Sequence, residues 1–378
     1  MSASTGAPAP HPPNAAMAES AVRPAPGGSP RHRVFVWLVA LAVLHALVVF
    51  AGVISPYAPE EQDRDHAYAP PTRIHWIDSR GGFHPRPFIR PWLPLEGGLG
   101  EFAEDPAQQI PLRFLVAGAP YRLLGVIPCR LHLFATEGAR ISLLGTDGYG
   151  RDQFSRLLYG GQISLLAGWL AAALALLGGT IIGTAAGFLG GWADDALMRV
   201  AELFLALPWL YLLFALRAFL PLAVSPLQAF FLVVGVIGAV GWARPARLVR
   251  GVVLSAKERD FVRAARGFGA SEGYLLRRHV LPETASVLLT QAAILVPQYI
   301  LAEVTLSFLG LGVPEPAPSW GNLLASLQQY SVLASYWWMC LPAVIMVPFF
   351  LGYLGLASAL QAWTGPVKIA GGGSGSAE

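Results

Sequence analysis

The chain has 378 residues, of which 54% are hydrophobic and only 13% are charged, and its formal net charge is +3. Soluble domains carry about 25% charged residues, so this composition excludes an ordinary water-soluble globule. The small net charge gives no argument for nucleic acid as a partner. Several apolar runs reach the roughly 20 residues that cross a bilayer as a helix, which predicts an all-α polytopic membrane protein surrounded by lipid.

The first two segments are predicted to be a tail and a membrane span. Residues 1–33 are expected to form a disordered cytoplasmic tail, because the first thirty are rich in Pro, Ala, Gly and Ser. Residues 34–55 form the first predicted span. A signal peptide is the alternative, but this apolar run exceeds the roughly 7–15 residues of a signal's core and starts far from the N-terminus.

Residues 56–150 form a long polar insertion, which predicts a small lobe outside the membrane. Its first half is rich in proline and glycine. Its second half holds two strand-like runs, 112–116 and 121–127, separated by Ala-Gly-Ala-Pro at 117–120. This pattern predicts a hairpin, and hence a lobe of partly β character.

The remaining chain, 151–362, is predicted to be the membrane core, followed by a flexible tail at 363–378. Its five apolar segments lie at 163–190, 197–220, 227–243, 286–311 and 337–362. Together with the first span they predict six transmembrane helices.

Arginine placement predicts the orientation of these spans. The loop at 244–283 carries nine basic residues: Arg244, Arg247, Arg250, Lys257, Arg259, Arg263, Arg266, Arg277 and Arg278. Such density is typical of a cytoplasmic loop. Six spans then place both termini in the cytoplasm, in agreement with Arg31 and Arg33, and place the 56–150 insertion on the opposite, extracytoplasmic side.

Within that loop, residues 261–282 form a basic, amphipathic helical segment. Ala264, Ala265 and Phe268 fall on one face, where small side chains would let a partner approach closely. Gly267 and Gly269 permit a sharp turn between two short helices. A solvated connecting loop with snorkelling arginines is the other interpretation, and the pattern alone does not decide between them.

Two further sets of residues are candidates for helix packing and for the transport path. Gly179, Gly183, Gly187 and Gly191 recur every four residues and form one small face, which would contact either a partner subunit or a helix of the same chain. Glu303 and Ser307 lie in an apolar span, where an ionisable group is a functional candidate by default. They would either line a passage or fix a helix contact.

Four motifs, taken together, resemble a known family, the permeases of ABC importers; one of the four is Asp195–Arg199 together with Ala206-Leu207-Pro208 in the third span. The first resembles the EAA loop of those permeases, with Arg263 in place of the usual Glu and His279 in place of Ile. Two others resemble signatures of the dipeptide, oligopeptide and nickel branch: Leu144–Asp152 with Ser155–Gly160, and Leu306–Gly312 with Pro318–Gly321. The EAA-like residues are Arg263, Ala264, Ala265, Gly267, Gly269, Leu281 and Pro282.

This resemblance implies a fold, a set of partners and a location. The fold is the six-helix type I permease, in the C-type subunit of a peptide importer, and the EAA-like residues are its ATPase contact. The implied partners are a second homologous permease, two ABC ATPase subunits and an extracytoplasmic solute-binding protein, assembled in the bacterial inner membrane. The implied substrates are peptides, although the resemblance does not say which.

The chain has no G-x-x-x-x-G-K-[ST] phosphate-binding loop, so ATP and Mg²⁺ are expected on the partner ATPases and no cofactor on this chain. No catalytic residue is predicted. Cys129 and Cys340 fit neither a metal-ligand spacing nor a disulfide, so no metal site is expected. The alternatives are an ion-coupled secondary transporter, or a membrane-anchored scaffold whose 56–150 lobe carries the function.

Overall fold

The computed structural model describes residues 29–95, 101–123, 125–219, 221 and 224–364. Most of the predicted N-terminal tail and nearly all of the C-terminal tail lie outside these residues. The described helices are α1 (Pro30–Val49), α2 (Ala51–Ile54), α3 (Gln153–Leu189), α4 (Gly191–Ala206), α5 (Trp209–Ala218), α6 (Pro226–Gly241), α7 (Ala243–Lys257), α8 (Asp260–Gly267), α9 (Glu272–Leu275), α10 (Leu281–Glu283), α11 (Ala285–Phe308), α12 (Trp320–Ala325), α13 (Tyr330–Ser335) and α14 (Leu341–Thr364).

Among the described residues, four helical segments are long and apolar enough to cross a membrane: α1, α3, α11, and Trp337–Thr364, which includes α14. The longest, α3, has 37 residues. Asp152 caps its first turn by accepting from the backbone N–H of Ser155 at 2.8 Å. Gly190 ends it with a φ of 69°, a conformation that glycine adopts at little cost.

The third and fourth predicted spans are each bent pairs of helices. α4 and α5 meet at an angle of 92°, and α6 and α7 meet at 42°. The first break is at Leu207, whose backbone is extended (φ −80°, ψ 139°), as expected for a residue that precedes proline. If each pair counts as one span, the part of the chain that the structure describes has up to six candidate spans. The 244–283 loop is therefore largely helical, since α7 continues to Lys257.

The core of the helical region is built around α3. Small residues of α3, including Ala171 and Ala175, are fully buried and bring it close to α6 and α11. Val233 and Ile237 of α6 and Ile300 of α11 belong to the same buried cluster. α1 packs along α14, so it lies at one side of this arrangement.

The insertion contains short antiparallel strands: β1 (Ile74–Ile77), β2 (Phe83–Ile89), β3 (Trp92–Pro94), β4 (Phe102–Glu104), β5 (Ile110–Pro111), β6 (Arg113–Leu123) and β7 (Ile127–Ala135). β6 and β7 form a hairpin, but its turn lies after Leu123 and not at 117–120. The predicted turn residues stay inside β6 as a register irregularity. Gly118 is needed there because a Cβ would lie 2.5 Å from the ring of His132.

The insertion is packed onto the helices. Ile89, Leu112, Phe134 and Ile141 form a small buried cluster, and Phe154 of α3 packs against it. A Cβ on Gly150 would overlap the backbone carbonyl of Asp63, so the chain crosses itself closely here. The lobe and the start of α3 therefore share one core.

Candidate functional site

The segment 260–283, here called the 260–283 module, is compact and rests on α7. Val262, Leu275 and Val280 are fully buried. Val280 belongs to a cluster with Val249 and Val253 of α7. A five-residue π-helical turn, Leu276–Val280, joins α9 to α10. The module is therefore a packed unit, not a loosely solvated loop.

Two ion pairs hold the module together. Arg266 of α8 pairs with Glu272 of α9 at 3.1 Å. Arg259, just before α8, pairs with Glu283 at the end of α10 at 3.0 Å. Because Thr284 alone separates α10 from α11, the second pair links the start of the module to the beginning of α11.

The predicted contact residues lie mostly on the outer surface of the module. Arg263, Ala264, Gly267, Gly269 and Pro282 are exposed, and Ala265 and Leu281 are half-buried. Gly269 has a φ of +84° and no atom within 4 Å of the place where a Cβ would lie. The turn thus requires glycine for its backbone conformation, while the space above it is open to a partner.

Exposed aromatic side chains accompany these small residues, and sequence reasoning identified only one of them. Phe268 is 93% exposed, and Phe261 and Tyr274 are also exposed. The rings of Phe261 and Tyr274 both lie 5.6 Å from the ring of His279. Exposed aromatic rings beside small residues are characteristic of a surface that a protein partner covers.

The glycine ladder packs within the chain. A Cβ on Gly179 would contact Pro245 of α7, and a Cβ on Gly187 would contact Val253 of the same helix. A Cβ on Gly183 would overlap the carbonyl oxygen of Ala246. Gly191 does not share this contact. It begins α4 with a φ of +58° and has no atom within 4 Å of a built Cβ.

Charged side chains lock the same helices at their ends. Arg250 of α7 donates from Nε and Nη2 to Asp194 of α4 at 2.5 and 2.6 Å. Lys257 of α7 donates to the carbonyl oxygens of Gly187 and Phe188 at 3.2 and 2.9 Å, at the C-terminal end of α3. α3, α4 and α7 are thereby joined directly beneath the 260–283 module.

A second cluster of charges lies at the N-terminal end of α3. Arg151 donates to Asp147 at 2.7 Å and to Glu315 at 2.7 Å, and Arg156 donates to Glu315 at 2.9 Å. Burial of the Asp152 carboxyl raises its pKa to about 6. Sequence reasoning placed the arginines in a signature but missed Glu315, which lies more than 150 positions away.

Glu303 and Ser307 are buried inside the subunit and face no open surface in this structure. The Ser307 hydroxyl donates to Glu303 Oε1 at 2.6 Å. A Cβ on Gly321 would lie 2.5 Å from Ser307 Cβ, and one on Gly312 would overlap the Ser307 hydroxyl oxygen. The glycines of the second signature thus provide the room for this contact between α11, α12 and the loop that joins them.

His45 is a second ionisable side chain within a span, and it joins three helices. Its Nδ1 donates to the carbonyl oxygen of Leu41 at 2.8 Å. Its Nε2 accepts from the Tyr353 hydroxyl at 2.9 Å and from the Trp169 indole at 3.3 Å. Nδ1 is therefore satisfied within α1, while Nε2 joins α1 to α3 and α14.

Within the described residues, no group of three or more His, Cys, Asp or Glu side chains is arranged to hold a metal ion. A cavity of about 370 Å³ lies where α4 and α5 bend, and it is bounded by α6 and α11. Trp209 and Ile237 contribute apolar walls, and Arg244, Gln298 and Tyr299 contribute polar groups. The arrangement is suited to binding and passage of a solute, because it combines apolar walls with a few polar groups.

Comparison with known proteins agrees with these features. Residues 179–366 match the family model of the binding-protein-dependent transport system inner membrane component. A protein assigned as a peptide permease in Brucella suis biovar 1 (strain 1330) is 38% identical over 214 residues, 56% of this chain and 69% of that protein. The dipeptide transport system permease protein DppC of Bacillus subtilis (strain 168) is 37% identical over 194 residues, 51% of this chain and 58% of its own length.

A third relative, assigned as the D,D-dipeptide transport system permease DdpC in Escherichia coli (strain K12), is 36% identical over 55% of this chain and 68% of its own length. Among solved structures, the inward-facing MetNI methionine ABC transporter aligns over 55% of this chain and 96% of its own, with 18% identity and a TM-score of 0.39, too low to inform the helix arrangement.

The bundle of apolar helices, with its compact 260–283 module, defines a helical membrane protein. The chain belongs to the family of binding-protein-dependent transport system inner membrane components and is a permease subunit of an ABC importer.

Proposed function

We propose that this subunit imports peptides across the bacterial inner membrane and forms half of the translocation path beside a second, homologous permease. The observation that carries the substrate class is the identity of 36–38% with proteins assigned to peptide and dipeptide transport. The test is uptake of labelled dipeptides and longer peptides by cells that lack the chain and by cells that regain it. Equal uptake of every peptide in both would contradict the proposal.

In the proposed mechanism the 260–283 module is the contact for an ABC ATPase subunit, which binds and hydrolyses ATP–Mg²⁺. The exposed Phe268, the small Ala264 and the open turn at Gly269 support this, because they combine an exposed aromatic ring with space in which a partner can approach the backbone. Movement of the ATPase would be passed on through Leu281 and Pro282 to α11, and through buried Val280 to α7. The assembly then alternates between two states that ATP and the loaded binding protein bias.

The cavity at the α4–α5 bend is the proposed segment of the path within this subunit. Its lining includes residues of α7 and α11, the two helices that the module contacts. Arg244 and Gln298 there supply polar groups that suit the carboxylate and amides of a peptide. Glu303 and Ser307 do not line it: the Ser307 hydroxyl donates to Glu303 within α11 and accepts from the backbone N–H of Val313 at 3.2 Å, which ties the following loop to α11.

Ala264→Trp tests the docking surface. Ala264 is exposed, so a tryptophan leaves the module folded but obstructs the close approach of a partner. We expect loss of ATPase co-purification and at least tenfold slower uptake. Ala334→Trp, at another exposed alanine in α13, is the matched control and is expected to change neither. Normal ATPase association and uptake in Ala264→Trp would refute the docking assignment.

A further inference from the structure

A crevice separate from the proposed path lies between α1, α11 and α14. It has a volume of about 470 Å³. Its walls are aliphatic and aromatic, with Leu38 and Ala42 from α1, Ala292 from α11, and Leu356 and Trp363 from α14. Since α1 lies at the side of the bundle, the crevice belongs to the part of the subunit that faces the bilayer.

The length of the crevice corresponds to one leaflet. Along α1 it extends from Val34 to His45, and along α14 from Trp363 to Tyr353. At about 1.5 Å per residue, each of these distances is roughly 15 Å, or half of a hydrocarbon core of about 30 Å. The crevice therefore begins at one membrane surface and ends near the midplane.

The closed end of the crevice does not call for a polar occupant. His45 and Tyr353 lie there, but both His45 nitrogens are hydrogen-bonded to Leu41, Tyr353 and Trp169. His45 and Tyr353 therefore contribute carbon atoms and ring faces to the wall of the crevice. An apolar chain fits such a space, whereas water would find few partners.

The open end carries positive charge. Arg31 lies over the ring of Trp363, with its guanidinium carbon 6.0 Å from the ring centroid. Arg33 is exposed in the same first turn of α1. Two cations at the end of an apolar crevice one leaflet deep are complementary to an anionic phosphate attached to an acyl chain.

We propose that this crevice binds one anionic phospholipid from the leaflet on the arginine-rich side, with an acyl chain between α1, α11 and α14 and the phosphate beside Arg31 and Arg33. The lipid would hold α1 to α11, two helices that are otherwise joined through α14. A helix of the second permease is the competing occupant, and the experiment separates the two.

The test is native mass spectrometry of the full-length chain, purified with its co-expressed transport partners, delipidated and titrated with phosphatidylglycerol or phosphatidylcholine. We expect one phosphatidylglycerol per copy of this chain, with a preference over phosphatidylcholine. Ala42→Phe, which fills the crevice, should abolish this binding. Val43→Phe, the adjacent and exposed position outside the crevice, should not.

The charge at the open end is tested separately. The double variant Arg31→Gln, Arg33→Gln should lower the preference for phosphatidylglycerol by at least about fivefold, the effect expected of one surface arginine. Arg199→Gln, an exposed arginine of α4, is the control. Equal binding of both lipids to the wild type, or undiminished binding to Ala42→Phe, would overturn the proposal. So would loss of the second permease from Ala42→Phe, because a protein helix would then be the occupant.

Discussion

At the N-terminal end of α3, the side chain of Arg156 is 1% exposed and depends on Glu315 for its closest ion pair. Arg151 shares the same carboxylate. A buried guanidinium that loses its ion-pair partner still bears the free-energy cost of its own desolvation. The ion pair therefore contributes more to stability than the partial exposure of Glu315 suggests. Glu315 thus fixes the loop after α11 against the beginning of α3.

Glu315→Gln should lower the free energy of unfolding by about 1–3 kcal/mol, because two buried arginines lose a charged acceptor while Asp147 remains. Glu61→Gln is a matched control. Glu61 is 42% exposed, close to the 46% of Glu315, but its partner Arg140 is itself 24% exposed. We expect the control to cost under about 1 kcal/mol. Equal melting temperatures for the two variants would contradict this account.

Asp152 gives a prediction about pH. Burial raises its pKa to about 6, above the usual 3.8, so the folded state favours the protonated form. Stability from this group is present below about pH 4 and is lost as pH rises through about 6. Asp152→Asn keeps an N-capping side chain but does not titrate. Its melting temperature should rise relative to wild type between pH 4.5 and 7, equivalent to about 2–3 kcal/mol. If the melting temperatures of Asp152→Asn and wild type change in parallel with pH, this effect of Asp152 on stability is excluded.

At the scale of elements, α3 and α7 pack closely because glycines of α3 face the backbone of α7. The absence of side chains at Gly179, Gly183 and Gly187 lets α7 approach α3 closely. Carbonyl oxygens of α7 or of Trp242 then lie within about 3 Å of the place where a Cβ would be at each glycine. The ion pair of Arg250 with Asp194 then joins α4 to the same unit. The 260–283 module thus rests on a rigid base.

Gly183→Ala should destabilise the protein by about 1–3 kcal/mol, because its Cβ would overlap the backbone oxygen of Ala246, which cannot move without shifting α7. Gly178→Ala is the matched control on the same helix. Its nearest neighbour would be Trp242 Cβ at 3.5 Å, an ordinary contact, and alanine favours a helix by up to about 1 kcal/mol. In detergent, the melting temperature should therefore fall for Gly183→Ala and rise for Gly178→Ala. A lower melting temperature in both variants would contradict the packing argument.

At the scale of the whole molecule, the lobe is joined to the helices at a point where the chain nearly closes on itself. The backbone N–H of Thr72 donates to the carbonyl oxygen of Ser142 at 2.8 Å, and the N–H of Ser142 donates to the Thr72 hydroxyl at 2.9 Å. Residues 74–139 can therefore be replaced by a short Gly-Ser linker. We hypothesise that this part of the insertion covers the outer gate or receives the solute-binding protein.

Replacing residues 74–139 should leave the helices and ATPase assembly intact but reduce stimulation of ATP hydrolysis by the loaded binding protein at least fivefold. Basal ATP hydrolysis is the internal control, since it does not require the binding protein. The melting temperature should fall, because Phe154 loses most of the buried cluster that it packs against. Unchanged uptake and unchanged affinity for the binding protein would refute the role of the lobe.

Sequence patterns determined the features that depend on neighbours along the chain. Hydropathy identified the apolar spans, arginine density singled out 244–283, and motif spacing indicated the family. Local rules misplaced the hairpin turn, because Gly118 lies inside the strand, where the ring of His132 leaves no room for a Cβ. They also did not predict the 92° bend between α4 and α5, although Pro208 was a signal that could have indicated it.

By itself, the sequence determined that this protein has several membrane spans, because composition and periodicity reflect the solvent that each segment meets, and its motifs indicated the permease family. Only the tertiary structure decided which groups meet each other. It placed Glu315 on Arg151 and Arg156, enclosed Glu303 with Ser307, turned three glycines toward α7, and left a crevice beside α1. These contacts join residues far apart in the chain, and their energies depend on distance and burial, which no local pattern records.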